Sequence, residues 1–254
     1  MRRFQTLLTA AALGTAGLIA GCSSTSKTCA SGCGCPTGET ADTLVRFELP
    51  TTPAQQSDAT PDSVLKQLME GNARYVKGQS TPIDINNSRA AATKGQFPLA
   101  YVLSCVDSRV PVEVVFDQGI GDIFVGRVAG NFENTDQLGS MEFATAAAGS
   151  KLIMVLGHEG CGAIKGSIDD VKLGNLTTLL NELKPAVNAV PGHDGQRNSN
   201  NTAFVDQVIA ANVKKTVADL RQRSQVLADL EKQGKIKIVG GVYSLKTGEV
   251  TLLD

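Results

Sequence analysis

The chain has 254 residues, of which 42% are hydrophobic and 19% are charged, and its formal net charge is −1. This composition is typical of one ordinary globular domain with appendages, long enough to bury a core of its own. The near-neutral charge, the lack of a long Lys or Arg run and an aromatic content of only 4% argue against nucleic acid as a partner.

Residues 1–21 are predicted to be a signal peptide, because two arginines, Arg2 and Arg3, precede an apolar stretch from Leu7 to Ala20. That stretch is shorter than the roughly 20 residues that a membrane-spanning helix needs. The ending Leu18-Ile-Ala-Gly-Cys22 resembles a bacterial lipoprotein cleavage box, which implies that Cys22 is lipidated and anchors the chain in the cell envelope. Ser23 implies the outer membrane, facing the periplasm. An ordinary secretory peptide and an uncleaved anchor helix stay open as alternatives.

Residues 22–59 are predicted to form a flexible lipoprotein tether, because they are rich in Ser, Thr, Gly and Pro and show no helical or strand period. Three cysteines, Cys29, Cys33 and Cys35, lie within this tether. In an oxidising compartment such thiols favour disulfides, within or between chains. A second metal site there stays an alternative.

Residues 60–254 are predicted to form a single domain in which strands and helices alternate. Its first half is predicted to contain a helix starting at Thr60-Pro61, a polar loop over residues 78–97, strands at 101–104, 123–129 and 152–157, and a helix at 137–148. Its second half is predicted to contain a helix through Val171, an amphipathic helix before Pro185, a polar loop at 191–201, helices from Thr202 and Ser224, a strand at 236–244 and a hairpin turn at 246–248. This alternation predicts an α/β fold with a central, mainly parallel sheet flanked by helices.

Two of the predicted strands lead into residues that bind metals. The first continues into Cys105-Val-Asp107-Ser-Arg109 and the later one into His158-Glu-Gly-Cys161. Since parallel strands present their carboxyl ends at one edge of the sheet, these side chains are expected to meet there. Zn²⁺ takes thiolate and imidazole ligands, and catalytic zinc sites use three protein ligands. Cys105, His158 and Cys161 supply that set, and Asp107 is either a fourth ligand or is held away by a bidentate pair with Arg109.

These residues also allow three other interpretations. Cys105 and Cys161 form a disulfide in one of them, which would leave His158 an ordinary core residue. In another, Cys105 is a phosphatase-type nucleophile with Arg109 as its anion ligand, but such a loop needs five residues between Cys and Arg, and here there are three. In the last, Asp107 and Arg109 are a simple surface pair.

The two motifs resemble the pattern of the β-class carbonic anhydrases, in which Cys-x-Asp-x-Arg follows one strand and His-x-x-Cys follows another. The resemblance extends over residues 60–254 through further motifs in the family's order. These are Leu68-Met-Glu-Gly-Asn-Ala-Arg-Tyr75, Phe124-Val-Gly-Arg-Val-Ala-Gly-Asn131, Ser140-Met-Glu-Phe-Ala144, Val239-Gly-Gly-Val-Tyr243 and Thr247-Gly-Glu-Val250.

The resemblance implies the β-carbonic anhydrase fold and a zinc lyase with one Zn²⁺ per chain. Its reaction would be the reversible hydration of CO₂ to bicarbonate and a proton, by attack of a zinc-bound hydroxide. Asp107 would orient the hydroxide, Arg109 would draw Asp107 off the metal, and Gln96 would donate to a substrate oxygen. A hydrolase of CS₂ or COS on the same scaffold, and a zinc-storage or thiol redox protein using the six cysteines, stay open as alternatives.

In the family, a neighbouring subunit completes the pocket, so the resemblance implies a homodimer or a higher homo-oligomer. Phe124, Ala129 and Phe143 stand at the pocket positions. Val102 stands where the bicarbonate-regulated subgroup has Trp, which implies a plant-type site that is open at neutral pH. Phe143 replaces the Tyr of many members, so buffer is expected to carry the proton. His193 is expected to be a surface residue.

Overall fold

The computed structural model describes residues 50–190 and 195–254. The predictions for the signal peptide, for Cys22, for the three cysteines of the tether and for His193 therefore fall outside the described residues.

The described chain is built on a five-stranded sheet with the order β2-β1-β3-β4-β5. The first four strands run parallel, and only β5 is antiparallel to its neighbour β4. The predicted central, mainly parallel sheet is therefore confirmed. The strands are β1 (Ala100–Ser104), β2 (Ile123–Arg127), β3 (Leu152–His158), β4 (Lys237–Tyr243) and β5 (Val250–Leu253).

Helices flank this sheet, as predicted. They are α1 (Pro53–Asp58), α2 (Pro61–Val76), α3 (Ile85–Ala92), α4 (Val112–Val115), α5 (Thr135–Glu142) with a π-helical turn at Phe143–Ala147, α6 (Gly162–Ile168), α7 (Gly174–Ala189), α8 (Thr202–Arg223) and α9 (Gln225–Lys232). The predicted caps at Thr60 and Ser224 each accept a hydrogen bond from the first turn of the helix that follows. The predicted hairpin turn is also present, with Gly248 at φ 76° donating to the carbonyl of Ser244.

The register of the sheet sets the position of the predicted ligands. Every residue of β1 and of β3 is buried, so these two strands form the centre of the core. Ser104, the last residue of β1, pairs with Leu156 of β3, and His158 is the last residue of β3. Cys105 and His158 therefore leave the sheet at the same edge.

Residues 50–59, which the sequence analysis assigned to the flexible tether, are folded onto the domain. Thr51 donates through its backbone N–H and its hydroxyl to Asp122, at 2.7 and 2.8 Å. Gln56, in α1, donates to the carbonyl oxygens of Pro98 and Ala148 at 2.8 and 2.9 Å. The ordered domain thus extends at least to residue 50, because long-range contacts and the capping box of Thr52 with Gln55 together hold the segment.

Two further local predictions differ from the structure. Residues 78–97 were expected to be loop, but α3 forms there, with Asp84 capping the helix by accepting from the N–H of Asn87. The helix before Pro185 was expected to end there, but α7 continues to Ala189. Burial of Leu183, Ala186 and Val187 outweighs the loss of one backbone donor at the proline.

Among the described residues, no helix is both long enough and apolar enough to cross a membrane.

Candidate metal centre

Three potential ligands converge at the carboxyl edge of the sheet. The Sγ atoms of Cys105 and Cys161 and a ring nitrogen of His158 all lie within 4.8 Å of one another. All three residues are buried, and both thiols are free, so the disulfide alternative is not adopted. Cys105 follows β1 directly, His158 ends β3, and Cys161 caps α6 after a two-residue turn.

The imidazole of His158 is oriented with one nitrogen ready to bind a metal. Its Nδ1 lies 2.9 Å from the carbonyl oxygen of Glu159, which can only accept, so Nδ1 carries the proton. Its Nε2 therefore carries a lone pair, and this atom is buried without a hydrogen-bond partner in the described part of the chain. A buried unpaired nitrogen beside two thiols is the arrangement that a metal ion satisfies. The donor set of two sulfurs and one imidazole fits zinc.

Backbone N–H groups surround both sulfurs. Cys105 Sγ accepts from the N–H of Gly130 at 3.3 Å, and the N–H groups of Ala163 and Ile164 face the sulfur of Cys161. The pKa of Cys105 is lowered well below its ordinary value, chiefly because the Cys161 thiol donates a hydrogen bond to it. The same bond and then burial raise the pKa of Cys161. The sulfurs of Cys105 and Cys161 are therefore close enough to share a hydrogen bond.

Asp107 lies beside the three ligands but is held by Arg109. Arg109 Nε donates to Asp107 Oδ1 at 2.9 Å and Nη2 donates to Oδ2 at 2.8 Å, and the backbone N–H of Arg109 adds a third bond at 2.9 Å. This pairing holds the pKa of Asp107 well below its usual range. Asp107 Oδ2 is also 3.8 Å from His158 Nε2. The Asp107 carboxylate therefore lies next to the candidate ligands, and Arg109 holds its orientation.

Comparison with known proteins assigns this arrangement to a family. Residues 100–250 match the family model for carbonic anhydrase. A carbonic anhydrase of Mycolicibacterium smegmatis is 37% identical over 201 residues, which cover 77% of this chain and 94% of the relative. The solved structure of the β-carbonic anhydrase CcaA, 25% identical, covers 76% of this chain and 88% of its own with a TM-score of 0.60.

The chain belongs to the β-carbonic anhydrase family. A solved structure of tetrameric β-carbonic anhydrases from the ascomycete Sordaria macrospora shares the fold, with 19% identity, a TM-score of 0.58 and coverage of 75% of this chain and 96% of that one. Carbonic anhydrases are lyases, so the fold class and the enzyme class predicted from the sequence are confirmed.

Arg127 and Glu159 support this carbonic anhydrase site, and the sequence analysis gave neither of them a role. Arg127 donates from Nε to the carbonyl of Cys105 at 2.9 Å and from Nη2 to the carbonyls of Asp107 and Val110 at 2.8 and 2.5 Å. Glu159 Oε2 accepts from the Ser244 hydroxyl and the Leu245 N–H, both at 3.0 Å. One signal was available, since Arg127 is the single charge of strand β2.

Gln96 is not brought to the metal ligands within one chain of this carbonic anhydrase. It is exposed and precedes β1, whereas Cys105 follows that strand. The five residues of β1 span about 15 Å, so Gln96 and Cys105 lie beyond opposite ends of that strand. The role predicted for Gln96 therefore requires a second chain.

Phe124 and Phe143 lie together on a surface of the carbonic anhydrase domain at the outer edge of β2. Their ring centroids are 6.0 Å apart, and Tyr101 lies 6.5 Å beyond Phe124. Phe143 is 54% exposed. The three rings border an open cavity of about 820 Å³ that Arg127 and Gln137 also line. Ala129 is not among the residues that line this cavity, and it directly precedes Gly130, whose N–H donates to Cys105 Sγ.

Proposed function

We propose that this chain is a zinc enzyme that hydrates CO₂ reversibly to bicarbonate and a proton, with one Zn²⁺ held by Cys105, His158 and Cys161. The observation that carries the proposal is the convergence of two thiols and an unpaired, buried imidazole nitrogen within 4.8 Å. Zinc bound there would lower the pKa of a coordinated water from ~16 to ~7 and so supply hydroxide at neutral pH.

The protein side chains would then orient the reaction. Asp107 is ionised at neutral pH, since Arg109 lowers its pKa, and its carboxylate can accept the hydrogen of the attacking group. Arg109 occupies both carboxylate oxygens, which keeps Asp107 turned from the ligand position. We accordingly propose a site that is open at neutral pH, of the plant type, as the presence of Val102 in place of Trp supports.

The test is CO₂ hydration, followed by stopped flow, together with zinc content of the full chain. Cys161→Ser is expected to lose both activity and zinc, whereas the matched variant Cys33→Ser keeps both, because residue 33 lies outside the matched region. Zinc held through residues 29–35 with no hydration activity would favour the storage alternative. Hydrolysis of COS without CO₂ hydration would favour the related hydrolase.

We further propose that the enzyme is a homodimer or a higher homo-oligomer, in which Gln96, Phe124 and Phe143 of one chain complete the pocket of another. The exposed ring of Phe143 beside Phe124 supports this, because aromatic side chains at the open edge of β2 offer an apolar contact for a partner chain. The tetrameric Sordaria proteins support assembly of this fold.

Complementation between two defective chains tests the shared pocket. Gln96→Ala has intact zinc ligands, and Cys161→Ser has an intact Gln96. If Gln96 acts across the interface, mixing the two after dissociation restores part of the activity, because each mixed pair contains one complete site. A mixture no more active than its separate parts, in a protein that sediments as a monomer, would refute the proposal.

We propose that residues 1–21 are cleaved as a signal peptide and that a lipid on Cys22 anchors the enzyme to the outer membrane, facing the periplasm. The basic start, the apolar stretch and the Gly21-Cys22 junction support this. Incorporation of a labelled fatty acid into the wild-type chain but not into Cys22→Ser would be expected. A chain that stays in the soluble envelope fraction would indicate an ordinary secretory peptide.

A further inference from the structure

The turn that follows β2 holds an unusual backbone conformation beside the metal ligands. Gly130 and Asn131 are consecutive residues with positive φ, at 83° and 42°. Only glycine adopts such values freely, and a side chain at Gly130 would meet Leu183 at 2.7 Å. The N–H of Gly130 points at Cys105 Sγ from 3.3 Å. A non-glycine residue such as Asn131 keeps a positive φ only where neighbouring groups support it.

Asn212 of α8 supplies one of the contacts that hold this turn. Its side-chain Nδ2 donates to the carbonyl oxygen of Gly130 at 2.8 Å, across 82 positions of sequence. Asn212 is only 2% exposed, and its Oδ1 has no hydrogen-bond partner among the described residues. Burying an amide with one end unpaired costs free energy. Packing alone therefore does not account for an asparagine at this position.

We propose that Asn212 is a positioning residue of the metal centre, which acts through Gly130 on the thiolate of Cys105. By fixing the Gly130 carbonyl, Asn212 fixes the residue whose N–H donates to Cys105 Sγ. That hydrogen bond withdraws charge from the sulfur, so it tunes how strongly the sulfur donates to a metal. This inference rests on the proposed zinc site.

Two measurements on the metal, neither of which depends on activity, test the role of Asn212. The first is zinc affinity, measured by competition with a chelator. The second is the thiolate-to-metal charge-transfer band of the cobalt-substituted protein. Asn212→Leu keeps the branched shape of the side chain, although it is larger, and removes the donor. We expect zinc affinity to fall about 10-fold, because Gly130 no longer holds the Cys105 sulfur in position and this loss outweighs the greater charge on the sulfur; that size is typical for loss of a residue that supports a metal ligand. The band should move to lower energy, because the sulfur becomes richer in charge.

Thr216→Val is the matched control. Thr216 lies four residues further along α8, is fully buried, and has a hydroxyl oxygen without a partner in the described ranges. Its replacement removes a buried polar group from the same helix without touching Gly130. We expect zinc affinity and the cobalt band to stay at their wild-type values.

The possible outcomes separate the role of Asn212 from that of the zinc site. A folded Asn212→Leu protein with wild-type affinity and band overturns the proposal, and so does an equal shift in Thr216→Val. Asn212→Ser, whose hydroxyl can hold a bridging water, should shift zinc affinity and the cobalt band in the same direction by smaller amounts. If the leucine variant does not fold, the serine variant is the test of the proposal. If neither variant folds, Asn212 is structural and the proposal fails. A wild-type chain without zinc refutes the zinc site itself.

Discussion

The guanidinium of Arg127 donates from Nε to the backbone carbonyl oxygen of Cys105 at 2.9 Å. Its Nη2 atom reaches the carbonyls of Asp107 and Val110. One side chain at the end of β2 thus holds three points of the loop that leaves β1. The loop carries the Cys105 thiol and the Asp107 carboxylate, so their positions depend on a side chain that contacts only the backbone of this loop.

Arg127→Lys is expected to lower activity roughly 10-fold to 100-fold, because an ammonium cannot donate in three fixed directions and a small misplacement of a reacting group is costly. Zinc content should remain near one per chain, since all three ligands are unchanged. The measurements are stopped-flow CO₂ hydration and zinc analysis. Arg221→Lys is the matched control, because Arg221 also donates to a backbone carbonyl, that of Ile238, but away from the site. Equal losses in both variants would contradict a specific role for Arg127.

Arg109→Gln is expected to reduce activity about 100-fold, the order of loss when a general acid–base group is disabled. The substitution breaks the bidentate pair, and the Asp107 carboxylate is then free to turn toward the metal position. Zinc should be retained. Asp170→Asn, which disrupts an exposed ion pair with Lys184, serves as the control and should leave activity unchanged. Loss of zinc from Arg109→Gln would instead show that the pair is needed to form the site.

The cluster of candidate ligands could be predicted from the sequence because each of them ends a strand or follows one within a few residues. For a parallel sheet, that local fact fixes a shared edge, and the register of β1 with β3 brings Cys105 and His158 there. The sheet itself was predictable for a similar reason, since fully buried strands leave continuous apolar runs.

Contacts between distant residues account for what the sequence did not reveal. Residues 50–59 show no period, and Thr51 and Gln56 are ordered by acceptors on other loops. The hydrogen bond from Asn212 to Gly130 spans 82 positions of sequence, and no local sequence pattern predicts it. The spacing between Gln96 and Cys105 in the sequence matches that of a site residue. In the structure the extended strand β1 lies between them, so they are at opposite ends of that strand.

Asn72→Leu is expected to lower the free energy of unfolding by about 3 kcal/mol, because it leaves several buried backbone groups unpaired. The Asn72 amide donates to the carbonyls of Val115 and Gly248 and accepts from the N–H of Val250. It therefore ties α2 to the last residue of α4 and to the closing hairpin. Urea unfolding measures the loss. Asn87→Leu, on the exposed side of α3, should change stability by less than about 0.5 kcal/mol. A similar change in both variants would contradict this account.

Glu133 should make the protein less stable as pH rises. Its pKa is raised, first by burial, although Arg223 donates to its Oε1 at 2.9 Å. Between the ordinary value of 4.5 and the raised value, the folded chain therefore holds a proton that the unfolded chain has lost. The free energy of unfolding must fall as pH increases through that window.

Glu133→Gln removes this proton and keeps the shape of the side chain. Relative to the wild type, the variant should gain stability as pH rises through the window and show no such gain below pH 4.5. Urea unfolding at a series of pH values measures the difference. Glu182→Gln removes an exposed carboxylate from a cavity that Glu133 and Arg223 also line, and it reports the effect of a lost charge alone. A variant that loses stability relative to the wild type as pH rises would show that Arg223 stabilises the ionised carboxylate more than burial destabilises it.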